Sequence, residues 1–238
     1  MNKKQIIQQI HTDLLALIDP VYKKGATRYF KEQIKIYGVH TPNVRKIAAK
    51  YATLLKKEPL PEIWHLSEQL LQSGYMENAT IALALVYARK KEWTVNDFNT
   101  LAHWLNTYVS NWAICDDLCN HAMGYCIDSY PEILPTIHSW TQSNNRWMRR
   151  AAAVSFILPA RRGKNLTDVL HIAKKLLNDP DDLVQKGCGW MLREAAKCHE
   201  LEIVTYLATH KSTMPRTMLR YAIERMPTDV KKKLMNKK

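Results

Sequence analysis

The sequence predicts an all-α fold, and three observations support this prediction. Apolar residues recur nearly everywhere at a spacing of about 3.6 residues, which is the period of an α-helix. The chain has only 7 Gly and 10 Pro in 238 residues, and most Pro stand between apolar segments, which favours helices joined by short turns. No alternating run of apolar and polar residues is long enough to indicate a strand.

The predicted helices follow one another along the chain. The first has apolar residues at helical spacing from Ile6 to Ile18. The second begins at Thr41-Pro42, with the threonine hydroxyl as N-cap and the proline as the first helical residue. Asp179-Pro180 and Met226-Pro227 indicate two further helix starts. The remaining helices are predicted near residues 62–72, 75–90, 95–106, 111–126, 132–139, 146–158, 166–177, 181–197, 201–210, 215–225 and 229–235.

A sequence echo indicates that the helices form repeats. The stretch from Trp147 to Ala153 matches the stretch from Trp190 to Ala196 at an offset of 43 residues, within the period of HEAT-type units. We therefore predict a single domain over residues 1–238: a HEAT-like helical-repeat solenoid, or α–α superhelix, with a concave basic face. The alternative is that both Trp are core residues that match by chance.

The net charge predicts an anionic partner. Lys and Arg total 35 against 22 Asp and Glu, which gives a formal charge of +13. Basic clusters recur along the chain, for example at Lys23-Lys24, Arg89-Lys90-Lys91 and Lys231-Lys232-Lys233. Nucleic acid is the first candidate and an anionic membrane surface the second. The alternative is a basic surface that serves only solubility.

Neither a membrane segment nor a metal site is expected. No apolar run approaches the ~18 residues of a membrane span, and the first residues lack a signal-peptide core, so we expect a cytoplasmic protein without a membrane partner. Of the five Cys, Cys115 and Cys119 share a helix face. His121, which a zinc site would also need, falls on another face, so reduced core thiols are the preferred interpretation.

One acid stands among basic and aromatic residues. Asp117 ends the stretch NWAICDD, and two motifs that combine Trp with Arg follow it, RWMRR from Arg146 and GWMLR from Gly189. A carboxylate in such surroundings suits a protein that grips a polyanion and stabilises a cation on it. The alternatives are a surface acid for Asp117, core packing for Trp190 and a structural ion pair for Arg150.

These motifs resemble the AlkD-type DNA alkylation-repair glycosylases, which are built of HEAT-like repeats, over nearly the whole chain. The resemblance implies an enzyme of base excision repair that hydrolyses the N-glycosidic bond of cationic N3- or N7-alkylated purines. Its partner would be duplex DNA containing alkylated bases, and we expect a monomer that is nucleoid-associated when bound. The most specific matches are Ser110-Asn111-Trp112 with Asp117, Asn145-Arg146-Trp147 with Arg150, and Gly189-Trp190 with Leu192-Arg193-Glu194.

The matching motif positions imply roles for single residues. Asp117 would be the catalytic carboxylate, Trp190 an aromatic wall beside the lesion and Arg150 a clamp on a backbone phosphate. Asp116 is the nearest rival of Asp117, but it lies about 100° around the helix. Tyr29 has core packing as its alternative. The residues expected to contact DNA are Trp112, Arg146, Arg149, Arg193, Thr41, Arg45 and Tyr29.

The chemistry expected of such a site needs few groups. Alkylation at N3 or N7 gives the purine a positive charge, which makes it a good leaving group. Positive charge then develops on the sugar, and one fixed carboxylate can stabilise it and orient a water. The sequence has no motif of a phosphate-binding loop, a zinc hydrolase or a serine nucleophile, so we expect neither metal nor cofactor.

One position departs from the family pattern. The known enzyme has two adjacent Trp where this chain has Trp112-Ala113, and the second Trp packs against the lesion nucleotide. Ala113 therefore favours a second hypothesis, a catalytically silent HEAT-like protein that binds unusual DNA structures. A third hypothesis is an adaptor for an acidic protein partner. The salt dependence of binding would separate nucleic acid from most protein partners.

Overall fold

The structure is a computed structural model that describes residues 3–236, and helices account for most of these residues. The described range contains no β-strand, although Lys35 and Tyr75 form an isolated bridge. The all-α prediction is therefore confirmed. Between residues 3 and 236, no helix is long and apolar enough to cross a bilayer.

The chain divides into two compact units, Met1–Leu118 and Cys119–Lys238. That both belong to one solenoid domain, with a concave basic face, stays a prediction. The first unit contains α1 (Lys3–Leu15), α2 (Pro20–Thr27), α3 (Thr41–Leu54), α4 (Leu60–Gln72), α5 (Met76–Tyr87), a 3₁₀ turn (Lys90–Glu92), α6 (Asp97–Tyr108) and α7 (Trp112–Leu118).

The helices of the first unit pack in two rows. In one row α3 packs against α5, and α5 packs against α7. In the other row α4 packs against α1 and α6, and it also contacts α5 across the unit. Both rows contribute buried side chains to the core, among them Tyr51 of α3, Leu85 of α5 and Trp104 of α6. This packing holds the short helix α7 against the unit through α5 and α6.

In the second unit α13 is the central helix, since α10, α11, α12, α14 and α15 all pack against it. Gly187 and Gly189 of α13 allow this close packing, and a Cβ at Gly187 would meet Val154 at 3.1 Å. A side chain at Gly189 would meet the Met218 carbonyl oxygen at 2.5 Å, so α15 can approach only because that position lacks a Cβ. The helical elements are Cys119–Met123 (π), α8 (Gly124–Ser129), Pro131–Ile133 (3₁₀), α9 (Leu134–Ser139), Trp140–Gln142 (3₁₀), α10 (Arg146–Val154), α11 (Ile157–Arg161), α12 (Leu166–Lys175), α13 (Asp182–Ala195), α14 (Glu200–His210), α15 (Arg216–Ile223) and α16 (Thr228–Met235).

Two predicted helices are interrupted. The helix predicted over 111–126 is an α-helix up to Leu118, π-helical over Cys119–Met123 and α-helical again from Gly124. The helix predicted over 146–158 ends at Val154 and resumes at Ile157 as α11. Proline 159 accounts for the second break, because it has no N–H to continue the hydrogen-bond ladder.

The prediction of a Thr41 N-cap is wrong. The N-cap of α3 is His40, whose side chain makes no capping bond, and Thr41 is the first helical residue. Pro42 lies in the first turn, where its missing N–H costs nothing. The helix α2 was not predicted, although Asp19-Pro20 carries a strong helix-start signal.

Candidate functional site

Helix α7 carries the predicted catalytic acid. The buried side chain of Asn111 begins the helix, because its Oδ1 accepts hydrogen bonds from the backbone N–H of Ala113 at 3.0 Å and of Ile114 at 3.1 Å. Asp117 lies one turn after Ala113 on the same face, and its side chain is half-buried. Because Asn111 fixes the first turn of α7, it also fixes the side of the helix on which the Asp117 side chain lies.

The first residue of α7 joins the segment that follows α2. The ring of Trp112 stacks on the ring of Phe30, with centroids 5.1 Å apart and planes 14° from parallel. The indole Nε1 of Trp112 also donates to the backbone carbonyl of Tyr29 at 3.4 Å. Tyr29 itself is 79% exposed, so core packing, the alternative raised for its ring, does not apply.

These residues surround an open recess of about 750 Å³ in the first unit, which we call the α7 recess. The volume falls within the range of small-molecule pockets. Thr41 and Arg28 also border it, and Arg45 is exposed one turn further along α3. Most of its lining is aromatic or apolar: Tyr22, Tyr29, Phe30, Met76, Trp112 and Ala113.

A buried carboxylate fixes the loop that leads to α3. Glu77, only 5% exposed, accepts hydrogen bonds from three consecutive backbone N–H groups, those of Tyr37 at 3.1 Å, Gly38 at 2.8 Å and Val39 at 3.2 Å. Gly38 has φ +99°, and a Cβ there would meet the Cβ of Lys23 at 2.6 Å. The loop between α2 and α3 is thus anchored to α5 behind the α7 recess.

Asp19 sets the start of α2 and so the position of Tyr22. Its Oδ1 accepts from the backbone N–H of Val21 at 2.8 Å and of Tyr22 at 3.0 Å. Its other carboxylate oxygen lies 3.1 Å from Nε2 of His40, whose ring stacks on Tyr22. These hydrogen bonds, led by that of the Tyr22 N–H, hold the pKa of Asp19 below its ordinary value.

Arg149, a predicted DNA-contacting residue of the second unit, has several partners within the protein. Its Nε donates to the Asp179 carboxylate at 2.6 Å, and one terminal nitrogen donates to the Ser143 carbonyl at 2.9 Å. Arg146 lies over the Trp147 ring at 4.4 Å and forms an ion pair with Asp181 at 3.2 Å. Both arginines therefore join α10 to the segment before α13.

Arg150, the predicted phosphate clamp, is 5% exposed and donates to the backbone carbonyl of Leu183. Its side chain lies against Gly187 of α13, where a Cβ would be 3.3 Å from its Cγ. In this arrangement Arg150 joins α10 to α13. Its contact with DNA stays a prediction.

Trp190 and Arg193 meet at the Glu194 carboxylate, which is 1% exposed. The Trp190 Nε1 donates to Glu194 at 3.3 Å, and Arg193 pairs with both Glu194 and Glu224. Arg161 and Lys197 complete the cluster, at 2.8 and 2.5 Å from the same carboxylate. Burial favours a higher pKa for Glu194, but the hydrogen bonds from Lys197 and Arg161 outweigh it and hold the pKa below its ordinary value.

The predicted site residues thus fall into two groups. The first unit holds Asp117 and brings Trp112, Tyr29 and Thr41 together at the α7 recess; the second unit holds the remaining arginines and Trp190. Sequence reasoning missed Phe30 and Met76 as recess residues. The stretch Arg28-Tyr29-Phe30 held the signal for Phe30, whereas nothing local points to Met76.

The second unit has a smaller open recess of about 240 Å³ bordered by Arg193, Lys197 and Arg225. Arg225 was not predicted as a site residue. Arg225 is exposed, and Glu200 also borders this recess. Among residues 3–236, no group of His, Cys, Asp and Glu is arranged to hold a metal, and four of the five thiols are buried.

Comparisons with known proteins bear on the family and the fold of this chain. A model of the family described as "DNA alkylation repair enzyme" matches residues 10–226. Among solved structures, the chain is similar to a predicted DNA alkylation repair enzyme from Enterococcus faecalis, with a TM-score of 0.79 and 16% identity over 89% of this chain and 97% of that chain. This likeness shows a shared fold. A comparison with curated proteins finds no match.

Proposed function

Since this chain belongs to the family of DNA alkylation repair enzymes, we propose that it is a DNA glycosylase of base excision repair. It hydrolyses the N-glycosidic bond of cationic N3- or N7-alkylated purines in duplex DNA. The charge on the alkylated base makes it a good leaving group, so no strong general acid is needed. The protein acts as a monomer, without metal or cofactor, and its location is the cytoplasm, at the nucleoid when it is bound to DNA.

Asp117 is the proposed catalytic residue. Its carboxylate stabilises the positive charge that develops on the deoxyribose and orients a water for attack at the anomeric carbon. The observation that carries this proposal is its position on α7: half-buried, on the face of Ala113, one turn from the aromatic α7 recess. A carboxylate there can meet a nucleotide that contacts Trp112.

The residues proposed to contact DNA differ in whether their side chains are exposed or have partners within the protein. Thr41, Arg45 and Tyr29 are exposed beside the recess, so they can meet a phosphate or a base without rearrangement. Arg146, Arg149, Arg150 and Arg193 have partners within the protein. They contribute to a positive surface, while Trp190 is the proposed aromatic wall. An exposed arginine can bind a phosphate through two parallel N–H···O hydrogen bonds from its planar guanidinium group.

The test is release of free base from duplex DNA that contains one N7-methylguanine. The native protein is expected to release 7-methylguanine, and Asp117→Asn is expected to lose at least about 100-fold in rate, the usual cost of removing one electrostatic stabiliser. Asp116→Asn is the matched control, because this neighbouring residue is also half-buried but its side chain points about 100° away around the helix. Equal rates for native and Asp117→Asn protein would exclude Asp117 as the catalytic group.

A second function rests on Ala113. The family enzyme has Trp at this position, whereas here Ala113 borders the open α7 recess. A catalytically silent protein that binds unusual DNA would bind tightly and with strong salt dependence but release no base. In that case Ala113→Trp is the variant to examine for a gain of base release.

A further inference from the structure

We propose that Glu194 is a positioning residue, whose buried carboxylate holds Trp190 and Arg193 in one fixed arrangement for contact with DNA. This inference rests on the proposed function, in which Trp190 is the aromatic wall and Arg193 contacts a phosphate. Glu194 is only 1% exposed, so it does not touch the DNA and acts through these two neighbours.

Helix α13 places the three side chains on one face. Arg193 and Glu194 follow Trp190 by three and four residues, the spacings at which side chains on a helix are neighbours. Gly189, which precedes Trp190, lets α15 approach α13 closely. The residue that ends α15 is Glu224, and its carboxylate pairs with Arg193. The arrangement is therefore a property of the stretch GWMLRE and of the helix packed against it.

The two oxygens of the Glu194 carboxylate have different partners. Oε1 accepts hydrogen bonds from Nε1 of Trp190 at 3.3 Å and from a terminal nitrogen of Arg193 at 3.5 Å. Oε2 accepts from Nε of Arg161 at 2.8 Å and pairs with Nζ of Lys197 at 2.5 Å. A buried carboxylate with four donors can turn only by leaving some of them unpaired, which is costly. The cations at Oε2 therefore anchor the carboxylate, and Oε1 orients Trp190 and Arg193.

Arg193 lies between a buried and an exposed acid. One terminal nitrogen of its guanidinium faces Glu194, and the other pairs with Glu224, whose side chain is 56% exposed. An exposed ion pair contributes little to stability, so a DNA phosphate can replace Glu224 at small cost. Glu194 stays in place during this exchange, because it is buried and anchored. The same face of the guanidinium is therefore presented to the phosphate each time.

The binding test compares the two glutamates beside the same arginine. Glu194→Gln and Glu224→Gln each remove one negative charge next to Arg193, so a purely electrostatic effect would strengthen binding of an unmodified duplex in both. Positioning predicts opposite signs. Glu224→Gln is expected to raise the affinity about threefold, because it removes a competitor of the phosphate. Glu194→Gln is expected to lower it about tenfold, because one carboxylate oxygen becomes an NH₂ group that cannot accept.

A double variant shows whether Glu194 acts through Arg193. Arg193→Gln removes the phosphate contact itself, and it should also lower the affinity about tenfold and reduce the magnitude of the salt slope by about one. Adding Glu194→Gln to Arg193→Gln should then cost little more, because a positioning residue has no effect once the residue that it positions is gone. Fluorescence anisotropy with a labelled duplex gives the four affinities of this cycle.

The indole of Trp190 reports on the other contact of Glu194. With ¹⁵N-labelled tryptophan, the NMR signal of its Nε1–H is identified by its absence in Trp190→Phe. A neutral amide is a weaker acceptor than a carboxylate, so Glu194→Gln should move this signal upfield. Ile203→Val is the structural control: it removes a methyl group from a buried residue of α14, which lowers stability, but should leave the signal and the DNA affinity unchanged. If thermal denaturation shows that Glu194→Gln is unfolded, Glu194→Asp withdraws the carboxylate while keeping its charge.

The outcomes separate this inference from the proposed function. If Glu194→Gln binds the duplex as tightly as the native protein or more tightly, or if the Trp190 signal does not move, Glu194 is not a positioning residue. Additive losses in the double variant would contradict the inference as well. Base release by the native protein in any of these cases would leave the glycosylase proposal intact. The expected effects on binding and on the NMR signal, in a protein that releases no base, would support the role of Glu194 and contradict the glycosylase.

Discussion

At the residue scale, the carboxylates of Asp117 and Glu194 differ in their burial. Asp117 is half-buried on a short helix next to an open recess. Glu194 is 1% exposed and is held by Arg161, Lys197 and Trp190. The sequence identified both motifs but not this difference, because Arg161 lies 33 residues away from Glu194 and only the fold brings it there.

The Glu194 cluster should make stability depend on pH. Because its folded-state pKa lies below the ordinary value of 4.5, its contribution is fully present above that value and is lost as pH falls towards the lower folded pKa. Glu194→Gln removes the charge at every pH. We expect the variant to be about 1–3 kcal/mol less stable than the native protein at pH 7, with a smaller difference below pH 4.5.

Urea unfolding between pH 3 and 7 measures this difference. The matched control is Glu200→Gln, which changes an exposed glutamate at the start of α14 and should differ little from the native protein across the range. A stability difference for Glu194→Gln that stays constant down to pH 3 would show that the charge of Glu194 contributes nothing.

At the scale of helices, the apolar periodicity predicted most of the helices. It did not predict where the backbone departs from a regular α-helix or which path the loops take. The helix predicted over 215–225 is α15, Arg216–Ile223, and the one predicted over 229–235 is α16, Thr228–Met235. The π-helical stretch Cys119–Met123 left no mark in the apolar pattern, since the buried residues Cys115, Cys119, Met123 and Cys126 keep spacings of three and four residues across it. The loop from 28 to 40 has a path set by Glu77, a residue too far along the sequence for any local rule.

The contact between α13 and α15 is the element-scale feature most sensitive to one added methyl group. A Cβ at Gly189 would lie 2.5 Å from the Met218 carbonyl oxygen and 2.6 Å from the Tyr221 Cβ, so one of the helices must shift. We expect Gly189→Ala to lower the free energy of unfolding by about 1–3 kcal/mol, as overpacked cores do. Chemical denaturation checks the value.

Gly25→Ala is the control for this helix contact. A Cβ at Gly25 would meet nothing within 4 Å, and the position lies within α2. This change should be neutral or stabilise the protein by about 0.5–1 kcal/mol, because Gly costs backbone entropy in a helix. If Gly189→Ala and Gly25→Ala lowered the free energy of unfolding equally, the close approach of α13 and α15 would not be the reason why position 189 requires glycine.

At the scale of the whole molecule, charge is the property that the sequence predicted most directly. The formal charge of +13 follows from the sequence alone. The sequence does not predict which arginines are available to a partner, because their exposure depends on acids that are distant in sequence, such as Asp179 beside Arg149. The structure therefore separates exposed arginines, such as Arg45, from arginines with partners inside the protein, such as Arg149.

The salt dependence of DNA binding should distinguish exposed arginines from arginines that have partners within the protein. Each phosphate contact adds about 0.9 to the magnitude of the slope of log K against log salt concentration. Arg45→Ala removes an exposed cation on α3 and should reduce that magnitude by about one. Arg149→Ala should leave the slope unchanged but lower stability by about 3 kcal/mol, because Asp179, buried beside it, loses its partner.

Fluorescence anisotropy with a labelled duplex at several salt concentrations gives these slopes. A reduced slope for Arg149→Ala in a protein of normal stability would show that this arginine exchanges Asp179 for a phosphate on binding. Unchanged slopes for both variants would place the DNA elsewhere on the molecule.

The three hydrogen bonds to Glu77 have a consequence for how the chain reaches its final state. They join backbone amides of residues 37–39 to a carboxylate about 40 positions later, so they can form only once α5 has emerged and packed. Contacts over such separations carry a loop-closure cost that local helices do not. Tyr29 and Phe30 contact Trp112, which follows Tyr29 by 83 positions, so the same cost applies to them. We therefore expect a newly made chain to acquire its helices before it acquires its recess.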